Sequence, residues 1–147
     1  MLAMLITFFV TVFLCIASVL IHYEGLLRIA SLMNHLSIRP RVRILVAVVG
    51  VLIAHVAEVW LFVGGYYFLT WLGHCGQLVG NFSGDLLDYS YYSFSTYTSL
   101  GFGDITPEGP MRFLTGMEAL TGLVLIAWTA SFMFLEMQRY WQKRDML

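Results

Sequence analysis

From Leu2 to Ile21 the chain reads LAMLITFFVTVFLCIASVLI, without one charged residue. A helix of about 20 residues rises about 1.5 Å per residue and spans a hydrocarbon layer of roughly 30 Å. With 147 residues, 59% hydrophobic and 12% charged, the chain has too little interior to hide such a segment in water. It is therefore read as an integral membrane protein. Two further stretches obey the same rule. Ile44 to Leu72 includes only His55 and Glu58 as imidazole or charged groups, and Met111 to Met137 carries Arg112 at its mouth with Glu118 and Glu136 inside. Three spanning helices are expected. The first positive residue is Arg28, so the first helix lacks the basic leader of a secretory signal and is expected to be retained.

Cations in short loops stay on the cytoplasmic side. Arg28, Arg39, Arg41 and Arg43 lie between the first two helices, and Arg139, Lys143 and Arg144 follow the third. Three spans place both groups on one face, which puts the N-terminus and the loop from Gly73 to Pro110 outside and the C-terminus in the cytoplasm. A short, simple chain of this kind suits a prokaryotic inner membrane. Only about ten residues follow the third helix, so no tethered gating module is expected, and a separate regulatory subunit stays open. The arginines at 39, 41 and 43 alternate around Pro40 instead of lining a span, which disfavours a voltage sensor. A net charge of -1 offers no basic face to nucleic acid, and the basic clusters suit anionic lipid instead.

Between the first two helices, Leu26, Leu27, Ile29, Leu32, Met33 and Leu36 recur at near-helical spacing among polar residues. That pattern predicts an amphipathic helix on the inner surface, followed by a turn at Pro40. Cys15 and Cys75 are too far apart in the pattern to form a metal or disulfide motif. Cys75 is left as an unpaired thiol or as a bridge to a neighbouring subunit. Asn81-Phe82-Ser83 matches a glycosylation acceptor.

The outer loop turns from a glycine-rich GHCGQLVGNFSGD into LLDYSYYSFSTYT, too short and polar to span. Asp85 or Asp88 is placed to cap a short helix there. The segment then turns at SLGFGD and leaves through ITPEGP into the third helix, which makes a re-entrant hairpin. Irregular backbone at membrane depth needs protein or water around it. Carbonyls from Ser99 to Phe102 facing one axis would replace the hydration shell of a cation, and Gly101 and Gly103 supply the backbone torsions for it.

The stretch Thr98 to Asp104, TSLGFGD, resembles the selectivity-filter signature of tetrameric potassium channels, Thr-x-x-Gly-Tyr/Phe-Gly-Asp. The resemblance implies an all-α membrane fold: three transmembrane helices with a short re-entrant pore helix and a filter loop per subunit, assembled as a homotetramer. An N-terminal part, 1–38, would hold the extra helix and its linker. The pore domain, 39–147, would hold an outer helix at 44–72, a pore helix at 86–98, the filter at 99–103 and an inner helix at 111–137. By the same resemblance, the carbonyls of Ser99, Leu100, Gly101 and Phe102 line K+ sites, with the Ser99 hydroxyl at the innermost and Gly103 completing the turn. Thr98 flanks the filter, and Asp104 bonds to Tyr91 and Tyr92 of the pore helix. Gly122 falls near the family's hinge glycine. No cofactor beyond permeant K+ and no enzymatic activity is implied.

Ser99, Leu100 and Phe102 replace the family's more frequent threonine, valine or isoleucine, and tyrosine. Weakly selective cation conduction therefore stands beside potassium selectivity, and a non-conducting accessory subunit beside both. Ile126, Ala130 and Phe134 recur every four residues below Gly122, as a pore constriction or as ordinary packing. His55 and Glu58 share a helix face and form either a structural pair or, with Glu118, a pH-sensitive group. The histidines at 22, 35, 55 and 74 appear dispersed over depths and loops, which disfavours a zinc or diiron centre.

Overall fold

The computed structural model describes residues 1–35 and 40–145, with the side chains of 34, 40, 41 and 139–145 outside that description. The elements are α1 (Leu2–His35), α2 (Pro40–Trp71), β1 (Gln77–Gly80), α3 (Leu86–Tyr97), β2 (Ile105–Glu108) and α4 (Met111–Asp145). Three helices are long and apolar enough to cross a membrane: Leu2–Met33, Val42–Trp71 and Met111–Gln138. The short α3 hangs between α2 and α4 as the re-entrant helix. Leu36, Arg39 and the side chains of Arg41, Arg139, Lys143 and Arg144, on which much of the orientation argument rests, lie outside the described residues.

The interfacial helix expected after the first span is not a separate element. α1 continues unbroken for 34 residues, about 50 Å at 1.5 Å per residue, and so outruns a hydrocarbon core of roughly 30 Å. Leu26, Ile29 and Met33 are buried against Ala47 and Val51 of α2, whereas Leu27 and Leu32 are each 48% exposed. Small residues allow this approach, since a Cβ on Gly50 would lie 2.9 Å from Ile29 Cγ1. α2 likewise begins at Pro40, where the missing proline N–H belongs to a first turn that leaves its donors unpaired anyway.

Further along α1 the buried face is Thr7, Thr11, Leu14, Ser18 and His22, while Phe9, Phe13, Ile16 and Leu20 are exposed. Steps of three and four residues place these on one stripe. The stripe is polar and small because lipid offers apolar side chains a home on the other face, while hydroxyls need protein. Thr7 and Thr11 return their protons to the carbonyls of Ala3 and Thr7, at 2.9 and 2.7 Å.

Two strands interrupt the all-helical expectation. β1 and β2 pair antiparallel, with Gln77 opposite Glu108 and Gly80 opposite Ile105. The ribbon joins the two flanks of the re-entrant loop and satisfies backbone that would otherwise lack partners. Cys75 sits at its base, fully buried with Sγ facing the Ala3 carbonyl at 3.9 Å, which leaves no surface thiol for an intersubunit bridge. Asp85 takes the N-cap position of α3 but makes no capping side-chain bond, and Asp88 accepts instead from the Ser83 amide and hydroxyl at 2.7 and 2.6 Å.

The larger core brings together Phe62 and Tyr66 of α2, Tyr92 and Tyr97 of α3, Leu114 of α4 and Leu14 of α1. α4 is continuous through Gly122, and the reason for a glycine there is proximity: an added Cβ would lie 2.1 Å from the Tyr97 carbonyl oxygen. This close approach gives the residue a packing role. Gly122→Ala should destabilise the folded protein by about 1–3 kcal/mol through overpacking, read as a lower unfolding temperature in detergent. The bonds from Ser83 lower the Asp88 pKa, so this contribution to stability is present above the ordinary carboxylate range and is lost as pH falls through the depressed value. Ser83→Ala should raise that pKa, measured by NMR titration of the carboxyl.

Candidate filter loop and its supports

The stretch after α3 is positioned from behind by the helix that precedes it. The amide of Ser99 donates to the Thr96 carbonyl at 2.9 Å, and those of Leu100 and Gly101 donate to the Ser95 carbonyl at 2.9 and 3.3 Å. The Phe102 amide reaches the Ser95 hydroxyl at 3.5 Å. Among the described residues, no hydrogen bond ends on a carbonyl of residues 99–103. Donors thus turn toward the pore helix while acceptors stay unused.

The torsions carry the same message. Ser99, Gly101 and Gly103 have φ of 58°, 57° and 79°. Left-handed residues at every second position reverse the normal alternation of peptide groups, so that successive carbonyls face one way. The two glycines fit this at no steric cost. Ser99 is the one described non-glycine residue with positive φ, a conformation that costs roughly 1–2 kcal/mol for an L-residue. Its strained backbone was not visible from residue type.

Beyond the loop, the ribbon fixes the exit. The Asn81 amide donates to the Asp104 carbonyl at 2.9 Å, and Ile105 enters β2 with 5% exposure. The Tyr91 hydroxyl donates to Asp104 Oδ2 at 3.0 Å. The Phe102 ring lies parallel to Tyr91, with centroids 6.1 Å apart and 3° between planes. Stacking stands in for a hydroxyl brace that phenylalanine cannot make. Tyr92, the other residue expected to reach Asp104, turns the opposite way and meets Thr115 Oγ1 at 2.9 Å. A cavity of about 180 Å3 remains behind the loop, bordered by Tyr91, Ser95, Phe102 and Thr115.

Two buried carboxylates hold α3 to the long helices, and they form separate groups. Glu118 of α4 accepts from the hydroxyls of Ser93 and Tyr66, both fully buried or nearly so. Glu58 of α2 accepts from the Tyr97 hydroxyl and lies 2.8 Å from His22 Nδ1 and 3.0 Å from His55 Nδ1. His22, Ser93 and Ser95 are the functional-site residues that sequence reasoning did not single out for these roles. For His22 a signal existed: it lies on the same stripe as Thr7, Thr11 and Ser18. Thr98 closes α3, its hydroxyl donating to the Phe94 carbonyl at 2.7 Å. Ile126, Ala130 and Phe134 are exposed on α4, away from the packed core.

The arrangement suits a cation. The C-terminal end of α3, with no basic residue in its last turn, directs its negative dipole end at Thr98 and Ser99. Leu100 and Phe102 are 64% and 63% exposed on the single chain, so the loop offers one open wall rather than a closed pocket.

Comparison with known proteins agrees with this geometry. A family model described as an ion channel matches residues 42–139. No curated protein and no solved structure matches the chain. The matched span runs from the start of α2 through the filter loop to the last turns of α4, two thirds of the sequence, and leaves α1 outside it. Members of this family conduct ions and are not enzymes. The chain is an integral membrane protein that belongs to the ion-channel pore-domain family, preceded by one additional apolar helix.

Proposed function

We propose that the protein is a potassium-selective channel, a homotetramer in which four copies of the loop 99–103 surround the permeation axis. The observation that carries this reading is the row of unused carbonyls at Ser99, Leu100, Gly101 and Phe102, with their amides tied back to Ser95 and Thr96. One copy is a single wall, and K+ must exchange its hydration shell for carbonyls on all sides. The Ser99 hydroxyl completes the innermost ion site, and Gly103 turns the chain toward Asp104 at the outer mouth. The pore domain is 39–147, and the N-terminal part is 1–38. The N-terminus and the ribbon face outside, the C-terminus faces the cytoplasm, and the host is a prokaryotic inner membrane with lipid around α1. Ile126, Ala130 and Phe134 line the inner part of the pore.

A second reading, weakly selective monovalent cation conduction, is favoured by the cavity of about 180 Å3 behind the loop, where Ser95 leaves room for the filter to relax. Vesicles loaded with K+ and given opposing Na+ gradients separate the two. Selective K+ flux from a four-chain particle supports the first reading, comparable Na+ flux supports the second, and a four-chain particle without flux overturns both in favour of an accessory subunit. Gly101→Ala should lower conduction about ten-fold while the particle still assembles, because a Cβ at φ 57° costs roughly 1–2 kcal/mol. Tyr91→Phe removes a bond worth about 1 kcal/mol and should lower the K+ over Na+ permeability ratio roughly five-fold by the same measure. The ratio is read from reversal potentials.

A further inference from the structure

Beneath the foot of α3, the side chains of four residues from three helices meet. His22 Nδ1 from α1 lies 2.8 Å from Glu58 Oε1, and His55 Nδ1 lies 3.0 Å from Glu58 Oε2 and 2.9 Å from the Tyr97 hydroxyl. That hydroxyl also contacts Glu58 Oε2. The ligand atoms of His22, His55 and Glu58 all fall within 4.8 Å of one another, and His22 and Glu58 are fully buried. We propose that His22, His55, Glu58 and Tyr97 form a binding site for a divalent transition metal such as zinc. The site is separate from the filter and bridges the N-terminal helix to the channel family's core.

The chemistry fits on three counts. Two imidazole nitrogens, a carboxylate and a phenol oxygen are ligands that zinc and its first-row neighbours accept in four-coordinate geometry. Both outer nitrogens converge on a single oxygen: His55 Nε2 is 3.0 Å and His22 Nε2 3.3 Å from Thr129 Oγ1. With each Nδ1 lone pair on the metal, each Nε2 keeps its proton and donates it to one of the two lone pairs of that hydroxyl. Charge also balances: the bound ion displaces the Tyr97 proton to solvent, and carboxylate and phenolate together then neutralise a divalent ion.

Access exists through His55, whose side chain is 16% exposed. It borders, with Tyr97, Thr98 and Thr129, a largely apolar cavity of about 410 Å3 between α2, α3 and α4. The competing occupant is a proton. One ring as imidazolium, donating to both Glu58 and Thr129, satisfies the same contacts without a metal. A bound ion would clamp α1, α2 and α3 together one residue before the filter flank at Thr98.

Purified full-length protein in detergent, stripped with a chelator and held in excess K+, is titrated with Zn2+ and with Co2+. The expected result is one ion per chain, a four-coordinate Co2+ absorption spectrum and a higher unfolding temperature. His22→Gln should remove stoichiometric binding. Thr129→Val, which keeps the volume of the side chain, should weaken it about 10–100-fold by freeing the imidazoles. Failure of the folded wild type to bind at equivalence overturns the proposal and leaves the shared proton. Unchanged affinity in Thr129→Val also overturns it, and this variant decides the matter if His22→Gln does not fold.

Discussion

Three backbone amides, those of Ser99, Leu100 and Gly101, are bonded to the carbonyls of Ser95 and Thr96, and the remaining architecture serves these bonds. Backbone at membrane depth has no water to fall back on, so a non-helical loop survives there only if protein satisfies one side of it. Here the satisfied side is the donors. The acceptors have no hydrogen-bond partner among the described residues, and the loop can hold that division only as long as α3 does not move. The placement of α3 is thus the central mechanical requirement of the molecule.

Two carboxylates meet it from opposite long helices. Glu118 on α4 takes the hydroxyl of Ser93, and Glu58 on α2 takes that of Tyr97, one helical turn further on. A buried carboxylate is costly unless its lone pairs are filled, and each of these has at least two partners. Gly122 lets α4 come close enough to touch the last carbonyl of α3. The ribbon of β1 and β2 holds the exit of the loop, so the loop is fastened at both ends. α1 enters this scheme through His22, whose ring reaches Glu58 across the helix interface.

Much of this was legible beforehand. The three spans followed from long apolar runs with few charges, the re-entrant element from a polar tyrosine-rich stretch between them, and the loop from glycines flanking one aromatic. The bond from Tyr91 to Asp104 was anticipated as part of a pair, yet Tyr92, its neighbour in sequence, points about 100° around the helix and binds Thr115 instead. Adjacent residues of a helix cannot both face one carboxylate. The histidines misled for a related reason. His22 and His55 stand 33 positions apart and read as dispersed, whereas α1 and α2 pack in opposite directions, Gly25 against Ala54 and Gly65 against Leu14, which brings such positions to one depth.

Hydropathy and local spacing act along the chain. They sufficed for the number of spans, the existence of a short helix between them and the turn at the glycines, because membrane insertion and glycine torsions depend on residues and their immediate neighbours. Pairing acts between segments. That α1 runs on to His35, that two short strands form a ribbon, that Ser99 adopts a left-handed backbone and that His22 joins Glu58 all depend on which faces meet after the helices pack. No periodicity within a single segment encodes those meetings, and they came into view only when the helices were placed against one another.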